Sequence, residues 1–383
     1  MKTVCILTAT RAEYGLLKPI IKRFLTEKDI KINIAVTGMH LSPEFGNTYI
    51  EIEKDAIPID TKIDILMSGD SPVCTSKTMA LALSGFADYF ERSKPDMLLV
   101  LGDRYETLAV CCAAMNARIP IAHIAGGEST QGAIDDAIRH SITKMSYLHF
   151  TEAEPYTKRV IQLGENPARV FTAGYLGIEN ILKIPKMSLS ELSSDLMMEL
   201  KLKNYAVVTF HPVTLEANTV SMQIDEILSA VERYHDLKFI FTKSNSDTDG
   251  RIINRKIDDF CKTHANCKSF FSLGTRRYLS ALQYAAFVLG NSSSGLTEAP
   301  ALGIPSVNIG DRQKGRLIPQ TVISCSPNRY AIGKAIKNAL SMQKSDSVMN
   351  TQNKSRMPSE IIAKHILRYL KKGIDLKKEF WDL

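Results

Sequence analysis

The chain has 383 residues, of which 44% are hydrophobic and 23% charged, and its formal net charge at pH 7 is +7. This length suffices for two domains with separate cores, while no apolar run reaches the roughly 18 residues of a membrane span and the first residues lack signal-peptide features, so we expect a cytoplasmic protein without membrane contact. The positive charge is scattered and no zinc-finger, helix-turn-helix or aromatic-basic pattern occurs, which argues against nucleic acid and favours acidic small ligands.

Strand-like and helix-like segments alternate through the first half of the chain. Nearly continuous apolar runs indicate buried strands, and apolar residues at 3.6-residue spacing indicate helices. The predicted strands are residues 4–9, 31–37, 57–63, 97–101, 120–125 and 148–151. The predicted helices are residues 16–25, 77–91, 106–116 and 134–145, and residues 10–15 are assigned to the turn after the first strand. This alternation predicts βαβ units and a parallel sheet.

A second alternating half begins after Gly174. Its predicted strands are residues 205–210, 238–242, 268–273, 285–289, 306–309 and 321–324. Its predicted helices are residues 184–199, 223–234, 251–263, 277–285, 296–302, 329–342 and 360–371. We therefore predict an α/β fold with two Rossmann-like, doubly wound domains, at residues 1–176 and 177–360. A C-terminal helix and tail at residues 361–383 is expected to pack back on the first domain.

The seven cysteines form no C-x-x-C pair and have no histidine-rich partner set. Buried, reduced thiols are the simplest interpretation of this pattern. The sequence thus predicts no metal site and no disulfide framework.

Polar residues follow the predicted strands at their carboxyl ends, where open α/β sheets bind ligands. They are Arg11, His40, Asp103, Arg104, Glu128, His211, Asn245, Ser292, Ser293 and Arg312. If the two sheets face each other, these groups line one cleft. The first domain then contributes carboxylates, and the second contributes a serine-rich loop and an arginine.

The stretch over residues 288–316 is the strongest single candidate for phosphate binding. A strand is followed by the turn Gly290-Asn291-Ser292-Ser293-Ser294-Gly295 and then by a short helix. Such a turn offers backbone N–H groups and hydroxyls to an anion at a helix start. Glu298 is placed to accept hydrogen bonds from a ribose, and Arg312 is placed to reach the same anion. An ordinary βα turn with N-capping serines is the alternative.

Each polar group also has a structural interpretation. These are a helix cap at Asp103 and Glu106, core histidines at His40 and His211, a plain turn at residues 126–129, and helix-face ion pairs between Asp135–Asp136 and Arg139–His140. Eight or more polar strand ends in one chain favour function over coincidence. Carboxylates with histidines can transfer protons, and arginines with hydroxyls can stabilise a leaving phosphate.

With these residues assembled, the chain resembles the hydrolysing UDP-N-acetylglucosamine 2-epimerases of sialic-acid synthesis. The stretches that carry the resemblance span nearly the whole chain in the expected order. They are TRAEYGLLKPI at 10–20, AVTGMHLSPEFGNT at 35–48, LVLGDRYE at 99–106, HIAGGES at 123–129, DDAIRHSITKMS at 135–146, FHPVT at 210–214, GNSSSGLTE at 290–298 and NIGDRQKGR at 308–316.

The resemblance implies a GT-B type fold with an interdomain cleft, and a homodimer or homotetramer. It also implies a two-step reaction of a UDP-sugar substrate. UDP is first eliminated across C1–C2 to give a glycal, and water is then added with inversion at C2, which yields N-acetylmannosamine and the UDP product. That scheme needs no cofactor, neither a metal nor NAD.

The resemblance also implies roles for individual residues. Asp103, Glu128 and Asp135 are the acid–base candidates, with His40 and His211 near the sugar or phosphate. Arg11, Arg104, Ser292, Ser293 and Arg312 are expected to hold the diphosphate, Glu298 the ribose, and His211, Asn245 and the backbone near Leu273 to lie by the nucleotide. The carboxylate that removes the C2 proton is left open.

One departure leaves the substrate open. Some relatives carry a glutamate where this chain has Ala125, and the nearby Glu128 is retained. The alternative substrate is UDP-N,N'-diacetylbacillosamine, used for legionaminic acid. A sugar-transferring GT-B enzyme and a non-catalytic nucleotide-sugar sensor are further alternatives, although a sensor needs no acid–base carboxylates.

Overall fold

A computed structural model describes residues 1–69, 71–245, 247–342 and 357–383, and these form two compact units. The first unit contains Met1–Glu128, Asp135–Asn180 and the described C-terminal residues from 357 onward. The second contains Ser129–Ile134 and the chain from Ile181 to residue 342. Residues 129–134, which were predicted to belong to the first domain, pack with the second unit. The division after Asn180 also lies four residues beyond the predicted boundary at 176.

The first unit is built on a seven-stranded, wholly parallel sheet in the order β3-β2-β1-β4-β5-β6-β7. Its strands are β1 (Lys2–Thr8), β2 (Ile30–Thr37), β3 (Ile59–Ile63), β4 (Met97–Leu101), β5 (Ile121–Ile124), β6 (Leu148–Thr151) and β7 (Val170–Thr172). Its helices are α1 (Arg11–Leu25), α2 (Tyr49–Lys54), α3 (Pro72–Ser93), α4 (Tyr105–Asn116), α5 (Asp135–Met145) and α6 (Glu154–Gln162), and α7 (Gly177–Lys183) runs through the boundary.

Both faces of this sheet are covered. Along β1, Val4 and Ile6 belong to one apolar cluster, while Cys5 and Leu7 belong to another, and all four are buried. A strand buried on both faces reads as a continuous apolar run, which is why the central strands were predictable. Four elements were not predicted: the helices α2, α6 and α7 and the three-residue strand β7 are too short to show a clear period.

The assignment of residues 10–15 to a turn is wrong, because α1 already begins at Arg11. Thr10 is the N-cap, and its hydroxyl accepts a hydrogen bond from the Glu13 backbone N–H at 3.3 Å. The Glu13 carboxylate accepts in return from the Thr10 N–H at 3.2 Å. This capping box satisfies N–H groups that the first helical turn otherwise leaves without partners.

The second unit contains a six-stranded parallel sheet in the order β10-β9-β8-β11-β12-β13. Its strands are β8 (Tyr205–Thr209), β9 (Lys238–Thr242), β10 (Cys267–Phe270), β11 (Phe287–Gly290), β12 (Ser306–Ile309) and β13 (Val322–Cys325). Its helices are α8 (Leu189–Leu196), α9 (Val220–Val231), α10 (Gly250–Thr263), α11 (Gly274–Tyr284), α12 (Glu298–Ala301) and α13 (Arg329–Ser341). The two alternating halves and the parallel, doubly wound architecture are confirmed.

Two helices of this unit are shorter than predicted. The helix expected over residues 184–199 is limited to Leu189–Leu196, because Ser188 caps its start with Glu191 and Met197 ends it in a left-handed conformation with φ of +47°. The helix expected over residues 296–302 has only four residues, Glu298–Ala301, and follows a 3₁₀ turn at Ser293–Gly295.

The C-terminal helix α14 (Pro358–Lys372) belongs to the first unit, where it packs against α1. The Ser359 backbone N–H and hydroxyl donate to the two carboxylate oxygens of Glu179 at 2.7 and 2.9 Å. Further on, Lys378 Nζ lies 2.7 Å from Glu165 Oε2, so charged contacts hold the tail to this unit. Among the described residues, no helix is both long and apolar enough to cross a membrane.

Candidate functional site

Four consecutive strands of the first sheet, β2, β1, β4 and β5, end in the predicted polar residues. Because the strands are parallel, their carboxyl ends meet at one edge. His40 follows β2, Arg11 follows β1, Asp103 and Arg104 follow β4, and Glu128 follows β5, while Asp135 begins α5. The topology therefore gathers the predicted carboxylates and cations of this unit at one sheet edge.

Asp103 forms an ion pair with Arg139, a residue of α5 that sequence analysis treats only as a surface ion-pair partner. Arg139 Nη2 donates to Asp103 Oδ2, and the Arg139 side chain is 1% exposed. Its Nη1 donates to the backbone carbonyl of Glu128 at 3.1 Å. A planar guanidinium with several donors can hold two oxygens at once. Arg139 thus joins the segments that carry two of the acid–base candidates.

Glu128 lies in a tight loop after β5 and is 4% exposed. Gly127 has φ of +81°, and a Cβ there would lie 2.4 Å from the Tyr156 carbonyl oxygen, so only glycine fits. The Gly127 carbonyl accepts a bond from Arg159 Nη1 at 2.5 Å. Ala125, where some relatives carry glutamate, is also left-handed, with φ of +64°. The loop conformation is therefore fixed on both sides of Gly126.

The chain leaves the first unit after Glu128 and returns at Asp135, so two acid–base candidates flank the hexapeptide Ser129–Ile134. Within the second unit, the Gln131 N–H donates to the Lys314 carbonyl at 2.9 Å. A Cβ at Gly132 would lie 2.8 Å from the Asp311 carbonyl oxygen. This hexapeptide thus packs directly on the backbone around Arg312.

His40 is fully buried, and both of its ring nitrogens have hydroxyl partners. Nε2 lies 2.9 Å from Thr8 Oγ1 and Nδ1 lies 2.8 Å from Thr48 Oγ1. Burial and the nearby charge of Arg11 lower the pKa of His40 to about 4, so the ring is neutral at pH 7. Contact of a ring nitrogen with substrate requires one of these bonds to break. In this geometry, His40 anchors the connection after β2.

Arg11 is a half-buried cation at the start of α1. Burial lowers its pKa, and the charge of Glu51 opposes that effect. Among the described residues it has no hydrogen-bond or ion-pair partner within 4.0 Å. A guanidinium that is partly desolvated and unpaired favours an anionic ligand. Arg104, another cation of this edge, donates from Nε to Glu106 Oε1 at 2.5 Å.

Asn291 organises the sheet edge of the second unit, although it is not among the predicted site residues. It is fully buried, and its side chain exchanges hydrogen bonds with the His211 backbone, at 2.7 Å to N and 2.8 Å to O. The backbone carbonyl of Asn291 accepts from Gln313 Nε2 at 2.8 Å and from Arg312 Nη1 at 3.3 Å. Asn291 therefore links the connections after β8, β11 and β12.

The serine-rich turn satisfies several of its own N–H groups. The Ser294 N–H donates to the Ser292 hydroxyl at 3.4 Å, and the N–H groups of Gly295 and Leu296 donate to carbonyls of the same turn. The Ser294 hydroxyl accepts from Tyr278 at 2.6 Å. Since the following helix has only four residues, the expectation of phosphate binding by a helix start is weakened. The hydroxyls of Ser292 and Ser293, both half-buried, remain available groups of the turn.

The remaining predicted residues of the second unit lie at the ends of neighbouring strands. Asn245, half-buried, follows β9, and His211 Nδ1 lies 3.1 Å from the Ser244 hydroxyl. Glu298 Oε2 accepts from the Thr297 hydroxyl at 2.5 Å. Leu273 is 3% exposed and its side chain belongs to the core, so only its backbone can face a nucleotide.

The described residues contain no group of three or more His, Cys, Asp or Glu side chains arranged to hold a metal ion. All seven cysteines carry free thiols. A cavity of 540 Å³ lies between α4 and α5, but none of the predicted site residues lines it. It is therefore separate from the polar sheet edge.

Two parallel α/β units, each with polar groups at the carboxyl edge of its sheet, define the GT-B class of folds. A family model described as UDP-N-acetylglucosamine 2-epimerase matches residues 22–360, and the chain belongs to this family.

Two relatives and one solved structure extend this result. The chain is 44% identical to the GDP/UDP-N,N'-diacetylbacillosamine 2-epimerase (hydrolyzing) of Campylobacter jejuni over 85% of each chain. It is 40% identical to the polysialic acid biosynthesis protein P7 of Escherichia coli over 100% of this chain and 98% of that protein. The structure of a UDP-GlcNAc 2-epimerase from Neisseria meningitidis bound to UDP-GlcNAc superimposes with a TM-score of 0.78, at 18% identity over 96% of this chain and 100% of that chain. This last likeness supports the GT-B fold.

Proposed function

We propose that the enzyme converts UDP-N-acetylglucosamine and water into N-acetylmannosamine and UDP. The observation that carries the proposal is the Asp103–Arg139 pair, which fixes one acid–base candidate and the Glu128 backbone at the sheet edge of a UDP-N-acetylglucosamine 2-epimerase family member. Membership of the family supplies the reaction class. The 40% identity to a polysialic acid biosynthesis protein supports N-acetylmannosamine as the product, because sialic acids are built on that sugar.

The proposed reaction has two steps. In the first, a carboxylate removes the proton at C2, the C1–O bond to UDP breaks, and a C1–C2 double bond forms. In the second, the oxygen of water adds to C1, and a proton is delivered to C2 on the opposite face. The sum of the two steps consumes one water and inverts C2.

The charged residues of the first unit suit the proton transfers. Asp103, Glu128 and Asp135 are the proposed acid–base groups, and Arg139 keeps Asp103 oriented. General acid–base catalysis by such groups contributes about 10²–10⁴-fold to a rate. The unpaired cation of Arg11 is proposed to bind the diphosphate as it leaves, together with Arg104.

The second unit is proposed to bind the nucleotide. Ser292, Ser293 and Arg312 are assigned to the diphosphate, Glu298 to the ribose, and Asn245, His211 and the Leu273 backbone to the region of the base. Asn291 supports this assignment, because it holds the connections that carry His211 and Arg312 in one arrangement.

UDP-N,N'-diacetylbacillosamine is the second candidate substrate. The observation in its favour is the 44% identity to a hydrolysing epimerase named for that sugar. Both sugars carry an acetamido group at C2, so the same elimination and hydration apply. They differ at C4 and C6, whereas the proposed acid–base groups are assigned to the reaction at C1 and C2.

An assay of both nucleotide sugars side by side tests the proposal. Release of UDP and free N-acetylmannosamine from UDP-N-acetylglucosamine, without an acceptor, is expected. If only UDP-N,N'-diacetylbacillosamine is turned over, that sugar is the substrate and the first proposal is wrong. Release of UDP only when an acceptor is present would identify a glycosyltransferase, and binding of UDP without turnover would identify a sensor.

We further propose that the enzyme works in the cytoplasm as a homodimer or homotetramer. Seven free thiols fit a reducing compartment. Light scattering at several protein concentrations gives the oligomeric state.

A further inference from the structure

A second group of charged side chains lies next to Asp103 in the first unit. Glu13 is on α1, Arg104 immediately precedes α4, and Glu106 is the second residue of α4. The strands before these helices, β1 and β4, are hydrogen-bonded neighbours. The two glutamates therefore approach the same sheet edge from adjacent connections.

Each of these glutamates has one bonded oxygen and one buried oxygen without a partner. Glu13 Oε2 accepts from the N–H groups of Ala9 at 2.8 Å and Thr10 at 3.2 Å. Glu106 is 1% exposed, and its Oε1 accepts from Arg104 Nε at 2.5 Å. Glu13 Oε1 and Glu106 Oε2 are both buried and have no hydrogen-bond partner among the described residues. An ionised oxygen in that position is unfavourable, whereas a protonated carboxyl carries its own donor.

The charges around the two glutamates indicate that Glu13 is the one that carries a proton. Burial and the charge of Glu106 raise the pKa of Glu13 to about 7, against the opposing effect of Arg104. Three other cations, on α1, act on different groups: Arg11 influences His40 and Glu51 through its charge alone, Lys18 pairs with Asp55, and Arg23 pairs with Glu27 and Glu360. The charge of Arg104 thus acts on both Glu13 and Glu106.

We propose that Glu13 is a positioning residue that carries a proton in the active enzyme, so that one cation, Arg104, faces one carboxylate, Glu106. This balanced pair holds Arg104 beside Asp103, with its charge available to a bound phosphate. Loss of the Glu13 proton adds a second negative charge, which draws the guanidinium toward the glutamates. The proposal rests on the proposed function.

The first test compares pH profiles of kcat/KM for UDP release between pH 6 and 9. For the native enzyme, kcat/KM is expected to fall above pH 7, approaching tenfold per pH unit for a single ionisation. Glu13→Gln places a neutral isostere at the position, so this decline should be lost while kcat/KM at pH 6 stays within about threefold of the native value. Glu91→Gln, on an exposed residue of α3, is the matched control and should retain the native profile.

The second test measures thermal stability, which does not depend on turnover. A raised pKa means that the folded chain binds the proton more tightly than the unfolded chain, so its stabilising effect is lost as pH rises through 7. Glu13→Gln should therefore gain melting temperature relative to the native chain from pH 6 to pH 9. If this gain appears but neither nucleotide sugar is turned over, the proposed function fails while the protonated Glu13 is upheld.

Glu106→Gln provides an independent variant if Glu13→Gln does not fold. It leaves one carboxylate for one guanidinium, so it should also flatten the alkaline limb of kcat/KM. The double variant removes both glutamate charges from beside Arg104 and should lower kcat/KM at every pH. Native-like pH profiles of both rate and stability in the two single variants would overturn the proposal, as would a stability difference without any change in the rate profile.

Discussion

The guanidinium of Arg139, 1% exposed, is paired with the carboxylate of Asp103 at the end of β4. The same guanidinium donates to the backbone of Glu128 at the end of β5. One buried cation on α5 therefore orients two of the groups proposed for proton transfer, and the consequences of its removal can be measured.

Replacement of Arg139 by Lys should lower kcat at least 10²-fold. An ammonium cannot hold the Asp103 carboxylate and the Glu128 carbonyl in the same planar geometry. Replacement by Ala should also destabilise the fold by about 1–3 kcal/mol, because it leaves the half-buried Asp103 carboxylate and the Glu128 carbonyl without the Arg139 donor. Steady-state kinetics and urea denaturation check both effects. Arg92→Lys, on an exposed residue of α3, is the control and should have the kinetics of the native chain. If Arg139→Lys and Arg92→Lys have equal kinetics, Arg139 has no role in the reaction.

Neutralisation of the acid–base candidates should reduce kcat while UDP still binds. Asp103→Asn, Glu128→Gln and Asp135→Asn are each expected to lower kcat by about 10²–10⁴-fold. Calorimetric titration with UDP should give dissociation constants within about threefold of the native value, since these groups are assigned to the sugar. Near-normal kcat in all three variants would show that the chemistry lies elsewhere.

Gly132→Ala should weaken binding of the nucleotide sugar. A Cβ at this position would lie 2.8 Å from the Asp311 carbonyl and 3.0 Å from the Arg312 Cα, so the backbone that carries Arg312 must shift. We expect KM for the nucleotide sugar to rise about tenfold, equivalent to ~1.4 kcal/mol of binding. Gly333→Ala on α13, where a Cβ meets nothing within 4 Å, is the matched control. If both variants show the native KM, the packing around Arg312 has no role in binding.

Asn291→Ala should abolish tight UDP binding. The change removes the two side-chain hydrogen bonds to the His211 backbone, in the connection after β8, at a cost of about 1–3 kcal/mol for each buried group left without the Asn291 amide, while the backbone carbonyl that accepts from Arg312 and Gln313 is retained. The melting temperature should fall, and the dissociation constant of UDP should rise by at least about tenfold. Asn338→Ala, an exposed position of α13, should change neither quantity. Native affinity in a folded Asn291→Ala protein would contradict the linking role.

The chain should lose stability as the pH falls from about 6.5 to about 4. Burial lowers the pKa of His40 to about 4 and that of His123 to about 3. The unfolded chain takes up these protons near pH 6.5 and the folded chain resists them, so the unfolded state binds more protons in this range. Melting temperatures between pH 7 and 4.5 should decline less steeply in His40→Gln than in the native chain. Parallel slopes would show that His40 is solvated.

Much of the fold was predictable because its strands are buried on both faces. Runs such as Val4–Leu7 in β1 and the five residues of β4 have no polar interruption, and turns follow each one. The polar residues after these strands were predictable for the same reason, since a parallel sheet brings strand ends to one edge. Short elements such as β7 have too few residues to reveal a period.

The supporting residues could not be found from spacing. Arg139 stands three residues after Asp136 on α5, a pattern that usually belongs to a solvated helix face. Its burial depends on β4 and β5, which are distant in sequence. The passage of Ser129–Ile134 into the second unit likewise depends on long-range contacts with residues 311–315. Asn291 was visible only as a turn residue, because its partners His211 and Gln313 come from other connections.

The most direct test of the proposed reaction is product analysis by NMR after incubation of UDP-N-acetylglucosamine with the enzyme in deuterium oxide. Removal of the C2 proton and its replacement from solvent predict free UDP together with N-acetylmannosamine that carries deuterium at C2. N-Acetylmannosamine with protium retained at C2, or the absence of free UDP, would contradict the account.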